Sequence, residues 1–66
     1  MTYSEFVFQC TQLVDALTLR IISAQDFDHA IAILCAMNPH HANEAANDWS
    51  VDLIFADVPH YQEDFL

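Results

Sequence analysis

Apolar residues recur at helical spacing from the start of the chain: Phe6, Cys10, Leu13, Leu17 and Ile21 follow one another at intervals of three and four. Such intervals line one face of a helix. With Ser4 as a suitable N-cap, the pattern predicts a first helix over about residues 4–22. Leu17, Leu19 and Ile21 also alternate with Thr18 and Arg20, so a strand competes there, and the helix is preferred. Ser23-Ala24-Gln25-Asp26 has the form of a capping box with a short acid at its third helical position. Asp26 and Asp28 then fall in the first turns, where the helix dipole favours negative charge. A second helix is expected over 24–37. Its later half, Ala30 to Met37, is apolar on all sides, which is the pattern of a central, most buried element.

Asn38-Pro39 ends that helix and suits the start of a third, with Asn38 as cap and Pro39 at the first position, where a missing N–H is harmless. The third helix either runs on through Trp49 and Leu53 to Asp57 or breaks at Asp48-Trp49-Ser50 before a short helix or strand over 51–58. Pro59 stops whichever element precedes it. The tail, residues 60–66, is acidic with large apolar Tyr61, Phe65 and Leu66, and reads as a docking strip or a frayed end. The chain contains no glycine, which disfavours the tight turns of a β-meander. These patterns predict a single small all-α domain over 1–66, a compact bundle of three to four short helices. The alternative is an α+β fold with a short strand around 51–58.

A hydrophobic fraction of 55% argues against disorder, because disordered acidic segments lack the aromatic and aliphatic residues present here. At 66 residues, however, folding removes only about 60% of the unfolded chain's surface, so a second copy or a partner is expected to complete the core. Phe8, Leu19 and Ile22 fall off the main stripe of the first helix and form a second apolar strip that a homodimer would hide. Trp49, Phe55, Tyr61 and Phe65 read first as core residues and second as interface anchors. Cys10 and Cys35 read as buried free thiols, with a bridge between adjacent helices left open. The longest apolar run, Ala30 to Met37, falls far short of the roughly 20 residues of a membrane span. The start, Met1-Thr2-Tyr3-Ser4-Glu5, has no basic segment of the kind that opens a secretory signal, so a cytoplasmic protein is expected.

Charge changes this picture most. Ten carboxylates face one basic side chain, Arg20, for a net charge of −9 with no lysine. Self-repulsion on that scale costs folding energy. Residues 1–25 hold Glu5 and Asp15 against Arg20, a net −1, whereas residues 26–66 hold the other eight acids and no base, a net −8. Glu44, Asp48 and Asp52 recur every fourth residue, which on one continuous helix stacks them at about 6 Å of rise per step. A row at that pitch approximates successive phosphates of a nucleic-acid strand, and Lys/Arg sites that accept phosphate also accept carboxylate. The expected partner is therefore a basic protein surface, met by Glu44, Asp48, Asp52 and Asp57, with Asp26, Asp28, Glu63 and Asp64 as secondary contacts. Direct nucleic-acid binding is excluded for want of cations, and anionic lipid headgroups would repel the chain.

In length, charge and the acid spacing Glu44, Asp48, Asp52, Asp57, the chain resembles the small acidic phage-encoded inhibitors of bacterial defence, the DNA-mimic anti-restriction and anti-CRISPR proteins. That resemblance is one of class and covers no diagnostic motif. It implies a stoichiometric blocker of a nuclease or of a guide-RNA surveillance complex, acting in the host cytoplasm.

Two other chemistries have less support. His40, His41, Glu44 and Asp48 are close in sequence and suit zinc or iron, but a helix-borne site needs further ligands from another element. The two histidines read instead as an exposed first helical turn, and no metal or cofactor is expected. No Ser-His-Asp or Cys-His signature and no glycine-rich phosphate loop is present, so the chain is not expected to be an enzyme. The remaining alternative is a helical adaptor, antitoxin or immunity subunit that binds a cationic protein through its apolar faces.

Overall fold

The computed structural model describes residues 1–56 and 58. Among these residues four helices follow in order: α1 (Tyr3–Thr18), α2 (Ala24–Met37), α3 (Pro39–Ala46) and α4 (Trp49–Ala56). The fold is an all-α bundle, with no strand among the described residues.

α1 starts two residues earlier than Ser4 would place it, because Thr2 is the N-cap. The Glu5 backbone N–H donates to Thr2 Oγ1 at 3.2 Å, and the Thr2 N–H donates to Glu5 Oε1 at 2.8 Å. This reciprocal box satisfies two otherwise unpartnered donors. Ser4 has Val7 at the corresponding position and cannot form one. Hydrogen bonding from the Thr2 backbone N–H, and secondarily from its side chain, holds the Glu5 carboxyl below its ordinary range.

The far end of α1 stops short of residue 22. Arg20 N–H donates to the Leu17 carbonyl and Ile21 N–H to that of Ala16, at 3.0 and 2.8 Å, the two bonds of a Schellman C-cap. Arg20 adopts φ 61°, the left-handed position where glycine is usual. With no glycine in the chain, arginine bears that steric cost, about 1–2 kcal/mol for an L-residue. The turn lifts Leu19 and Ile21 off the helix stripe, and both are exposed.

α2 has the expected span, and Ser23 Oγ accepts from the Asp26 N–H at 3.1 Å. Asn38 follows it and is used differently from expectation. Its side chain donates back to the Leu34 carbonyl at 2.9 Å, closing α2, while only its backbone carbonyl serves α3, accepting from Ala42 N–H. Pro39 stands at the first position of α3, where its fixed φ suits a helix start.

The central element is α1, not α2. Phe6, Cys10, Val14 and Leu17 are buried along one stripe of α1, which packs against all three other helices. Phe6 and Cys10 form one cluster with Ala45 of α3 and Val51 of α4; Val14 and Leu17 form a second with Phe27 of α2. Ile31 and Phe55 pack against both clusters, and Phe27 meets Phe55 edge-on with ring centroids 6.5 Å apart. In α2 only Phe27 is fully buried. Ile33 is 46% exposed and Met37 75% exposed, while Ile31, Leu34 and Cys35 are half-buried against the core, so the all-round apolar stretch expected at the centre is enclosed on one side only. Among the described residues the three other helices, two of them of 8 residues, do not surround it.

Candidate functional site

The acid row Glu44, Asp48, Asp52 does not lie on one helix. α3 ends at Ala46, and Asn47 closes it by donating its side-chain N–H to the Asn43 carbonyl at 3.0 Å. Asp48 sits between the helices and caps α4. Its Oδ1 accepts the Ser50 N–H at 2.9 Å, and its backbone carbonyl accepts from Val51 and Asp52, as an aspartate N-cap does. This is the break that the sequence left as an alternative at 48–50, followed by a helix over Trp49–Ala56 and not by a strand over 51–58. A competent N-cap at Asp48, together with Asn47 closing α3, outcompetes the continuous helix.

The second oxygen of Asp48 is also engaged. Tyr3 at the start of α1 donates its phenolic O–H to Asp48 Oδ2 at 2.7 Å, across 45 residues of sequence. The bond holds the Asp48 carboxyl below its ordinary value, with the Ser50 N–H adding to the effect. Reciprocally, hydrogen bonding to Asp48 pushes the Tyr3 phenol up to about 12, with some desolvation and with the charges of Asp48 and Glu44 beyond it. Asp48 is half-buried and structural, pinning the α3–α4 junction to the amino end of α1. Beside it, His41 lies in the first turn of α3 as expected but is half-buried, not exposed. Its Nε2 lies 2.9 Å from the Met1 carbonyl, and its ring packs 5.9 Å from those of Tyr3 and Phe6. Since a carbonyl only accepts, Nε2 carries the proton.

The other candidate acids fall into three places. Glu44 on α3 and Asp52 on α4 are exposed, either side of the Asp48 junction. Asp26 and Asp28 are exposed in the first turns of α2. Asp57, Glu63 and Asp64 lie outside the described residues, as do Tyr61 and Phe65. Among the described residues no group of three or more His, Cys, Asp or Glu side chains converges to hold a metal ion. His40 is exposed on the first turn of α3.

A cavity of about 170 Å³ opens between the helices, lined by Phe6 and Cys10 of α1, Cys35 of α2, Ala46 of α3, and Asp52 and Phe55 of α4. Both cysteines are free, Cys10 buried and Cys35 half-buried. Burial, and secondarily the neighbouring Cys35, pushes the Cys10 thiol up, which keeps it protonated and unreactive. A second, shallower apolar groove runs between α1 and α2 along Gln9, Leu13, Ile33 and Met37. Of the second strip, Phe8 is exposed on α1 and Leu19 is exposed just past its end, whereas Ile22 turns inward against the cluster of Val14, Leu17 and Phe27. Trp49 is 73% exposed and is not part of the core.

No described helix is long and apolar enough to cross a membrane. No protein-family model matches the chain, and no curated protein or solved structure matches it. Function therefore rests on the fold and its charge.

Proposed function

We propose that the protein is a stoichiometric inhibitor that presents its carboxylates to the basic, nucleic-acid-binding surface of a nuclease or a CRISPR surveillance complex. The observation that carries this reading is the distribution of charge. Asp26, Asp28, Glu44 and Asp52 are exposed on α2 to α4, helices that contain no lysine or arginine. Each of these carboxylates suits a lysine or arginine that otherwise holds a phosphate. Because the carboxylates stand on three short helices, complementarity comes from a broad negative face and not from a single 6 Å ladder. The mode of action is occupancy of the site, without catalysis, in the cytoplasm of a host cell.

The test uses Asp26→Asn, Asp28→Asn, Glu44→Gln and Asp52→Asn together. Asp48 is left alone, because it caps α4 and its loss would confound binding with folding. The quadruple variant retains its helical circular dichroism and loses most of its capture of nucleic-acid-binding proteins from a bacterial lysate. Association of the parent with such a protein slows as salt rises. Full capture by the quadruple variant, or binding indifferent to salt, rejects the reading.

A second reading has its own observation. Phe8 on α1, Leu19 at its C-cap, and Ile33 and Met37 on α2 leave large apolar side chains exposed, which suits an adaptor, antitoxin or immunity subunit whose partner covers those helices. Phe8→Ser with Met37→Ser separates the two. It abolishes salt-insensitive binding if that reading holds and spares binding through the acids.

A further inference from the structure

The cavity beside Asp52 is open in a domain that has little core to spare. At about 170 Å³ it is comparable to an engineered apolar cavity of about 150 Å³ that admits benzene. On the α3 side its wall is made of Ala42, Ala45 and Ala46, so it is small side chains that keep it open. Ala46 is exposed at its edge, where a longer side chain could close the space without displacing the core.

Among the described residues its charged edge is negative. Asp52 is the acidic member of the lining and is exposed. α3 and α4 also carry Glu44, and Asp48 lies between them, with no lysine or arginine on either helix. Arg20 stands past the far end of α1 and is not among the residues that line the cavity. An apolar group carried on an anionic segment would be repelled there, and so would a second copy of this chain at −9.

We infer that this cavity receives one apolar side chain projecting from a cationic segment of the partner protein, so that recognition joins a buried knob to the surrounding charge. The inference rests on the reading of the protein as a binder of basic surfaces. It adds that the partner's contact segment pairs lysines or arginines with a single aromatic or large aliphatic residue, seated beside Asp52. Binding energy then concentrates at that residue, as it does where an anchor fills a pocket within a polar rim.

Two lysine-rich helical peptides of equal charge, differing only in a central phenylalanine or alanine, test this on the full chain, with Trp49 fluorescence or calorimetry as readout. The phenylalanine peptide binds about tenfold tighter or more, the gain expected from burying one such side chain. Ala46→Leu plugs the cavity. It erases the difference between the peptides, leaves the alanine peptide's affinity unchanged, and does not lower the melting temperature. Should Ala46→Leu fail to fold, alkylation of Cys35 replaces it, slowed by the phenylalanine peptide and not by the alanine one. Equal affinities for the two peptides, or a difference that survives the plug, overturn the cavity site while leaving the basic-surface reading intact. Failure of both peptides to bind overturns both. A neutral phenylalanine peptide that binds as tightly as the cationic one overturns the choice of a charged partner.

Discussion

α1 and α2 are neighbours of similar length, 16 and 14 residues, and they use their apolar residues in opposite ways. α1 confines its buried residues to one stripe, Phe6, Cys10, Val14 and Leu17, and places Gln12, Asp15 and Thr18 towards solvent. α2 is apolar around its whole circumference from Ala30 to Met37, yet only Phe27 is fully enclosed. Periodicity, and not apolar content, decides which helix becomes the centre. A stripe can be satisfied by three short neighbours, whereas a helix apolar on every side needs more neighbours than the three other described helices supply. The surplus on α2 is therefore surface.

Truncation tests this contrast most severely. Phe6→Ala should cost about 3–5 kcal/mol and Leu17→Ala about 2–5 kcal/mol by urea denaturation. Stability of about 0.05–0.15 kcal/mol per residue is typical, so either change approaches the whole stability of the domain. Ile33→Ala and Met37→Ala on α2 should cost less than about 1 kcal/mol each. Comparable losses on both helices would erase the distinction between centre and surface.

Capping gives a smaller effect and sharpens the role of α1. Thr2→Ala removes the acceptor for the Glu5 N–H and should cost about 1 kcal/mol, within the range for lost N-caps. Ser4→Ala should be nearly silent, since Ser4 is exposed and is not the cap. The reverse order would restore Ser4 as the start of the helix.

The pH dependence of stability isolates the pin between α1 and the α3–α4 junction. Asp48 and Glu5 have lowered values in the folded state, from 3.8 and 4.5. Their contributions are present above those values and are lost as pH falls through the lower folded ones. Tyr3 is raised from 10.0 to about 12, so its contribution holds below pH 10 and is lost as pH rises towards about 12. Tyr3→Phe should remove this alkaline loss and make the acid loss shallower, because Asp48 keeps only its Ser50 and Val51 donors. Unchanged limbs at both ends would mean that the pin contributes nothing.

Much of the architecture is legible in the chain, and the departures have identifiable causes. Helical spacing, Ser23 as a cap and the Asn38-Pro39 boundary place α2 and the start of α3. Thr2 with Glu5 is a readable capping box, overlooked because Ser4 stands nearer the first apolar residue. Nothing local signals the Tyr3 to Asp48 bond, which spans 45 residues and depends on how the junction folds back on α1. The acid spacing Glu44, Asp48, Asp52 suggests a ladder, but aspartate after Asn47 also reads as a cap, and a cap ends one helix to begin another. The cavity is not readable from periodicity at all, since the alanines of α3 fit a well-packed helix face equally well.

The smallest expected effect concerns charge and folding. Raising ionic strength from about 10 mM to about 150 mM shortens the screening length from about 30 to about 8 Å, which should modestly raise the melting temperature of a chain at −9. A melting temperature that falls would point instead to attractive pairs as the dominant surface electrostatics.

The central claim is that this acidic face takes the place of nucleic acid on a basic protein. Its most direct measurement is displacement of a fluorescent DNA duplex from a nucleic-acid-binding protein captured by the chain, followed by anisotropy at fixed salt. The account predicts complete release of the duplex at a fixed stoichiometry and no release by the Asp26, Asp28, Glu44, Asp52 neutral variant. A ternary complex in which the partner holds the duplex and this protein together would contradict it.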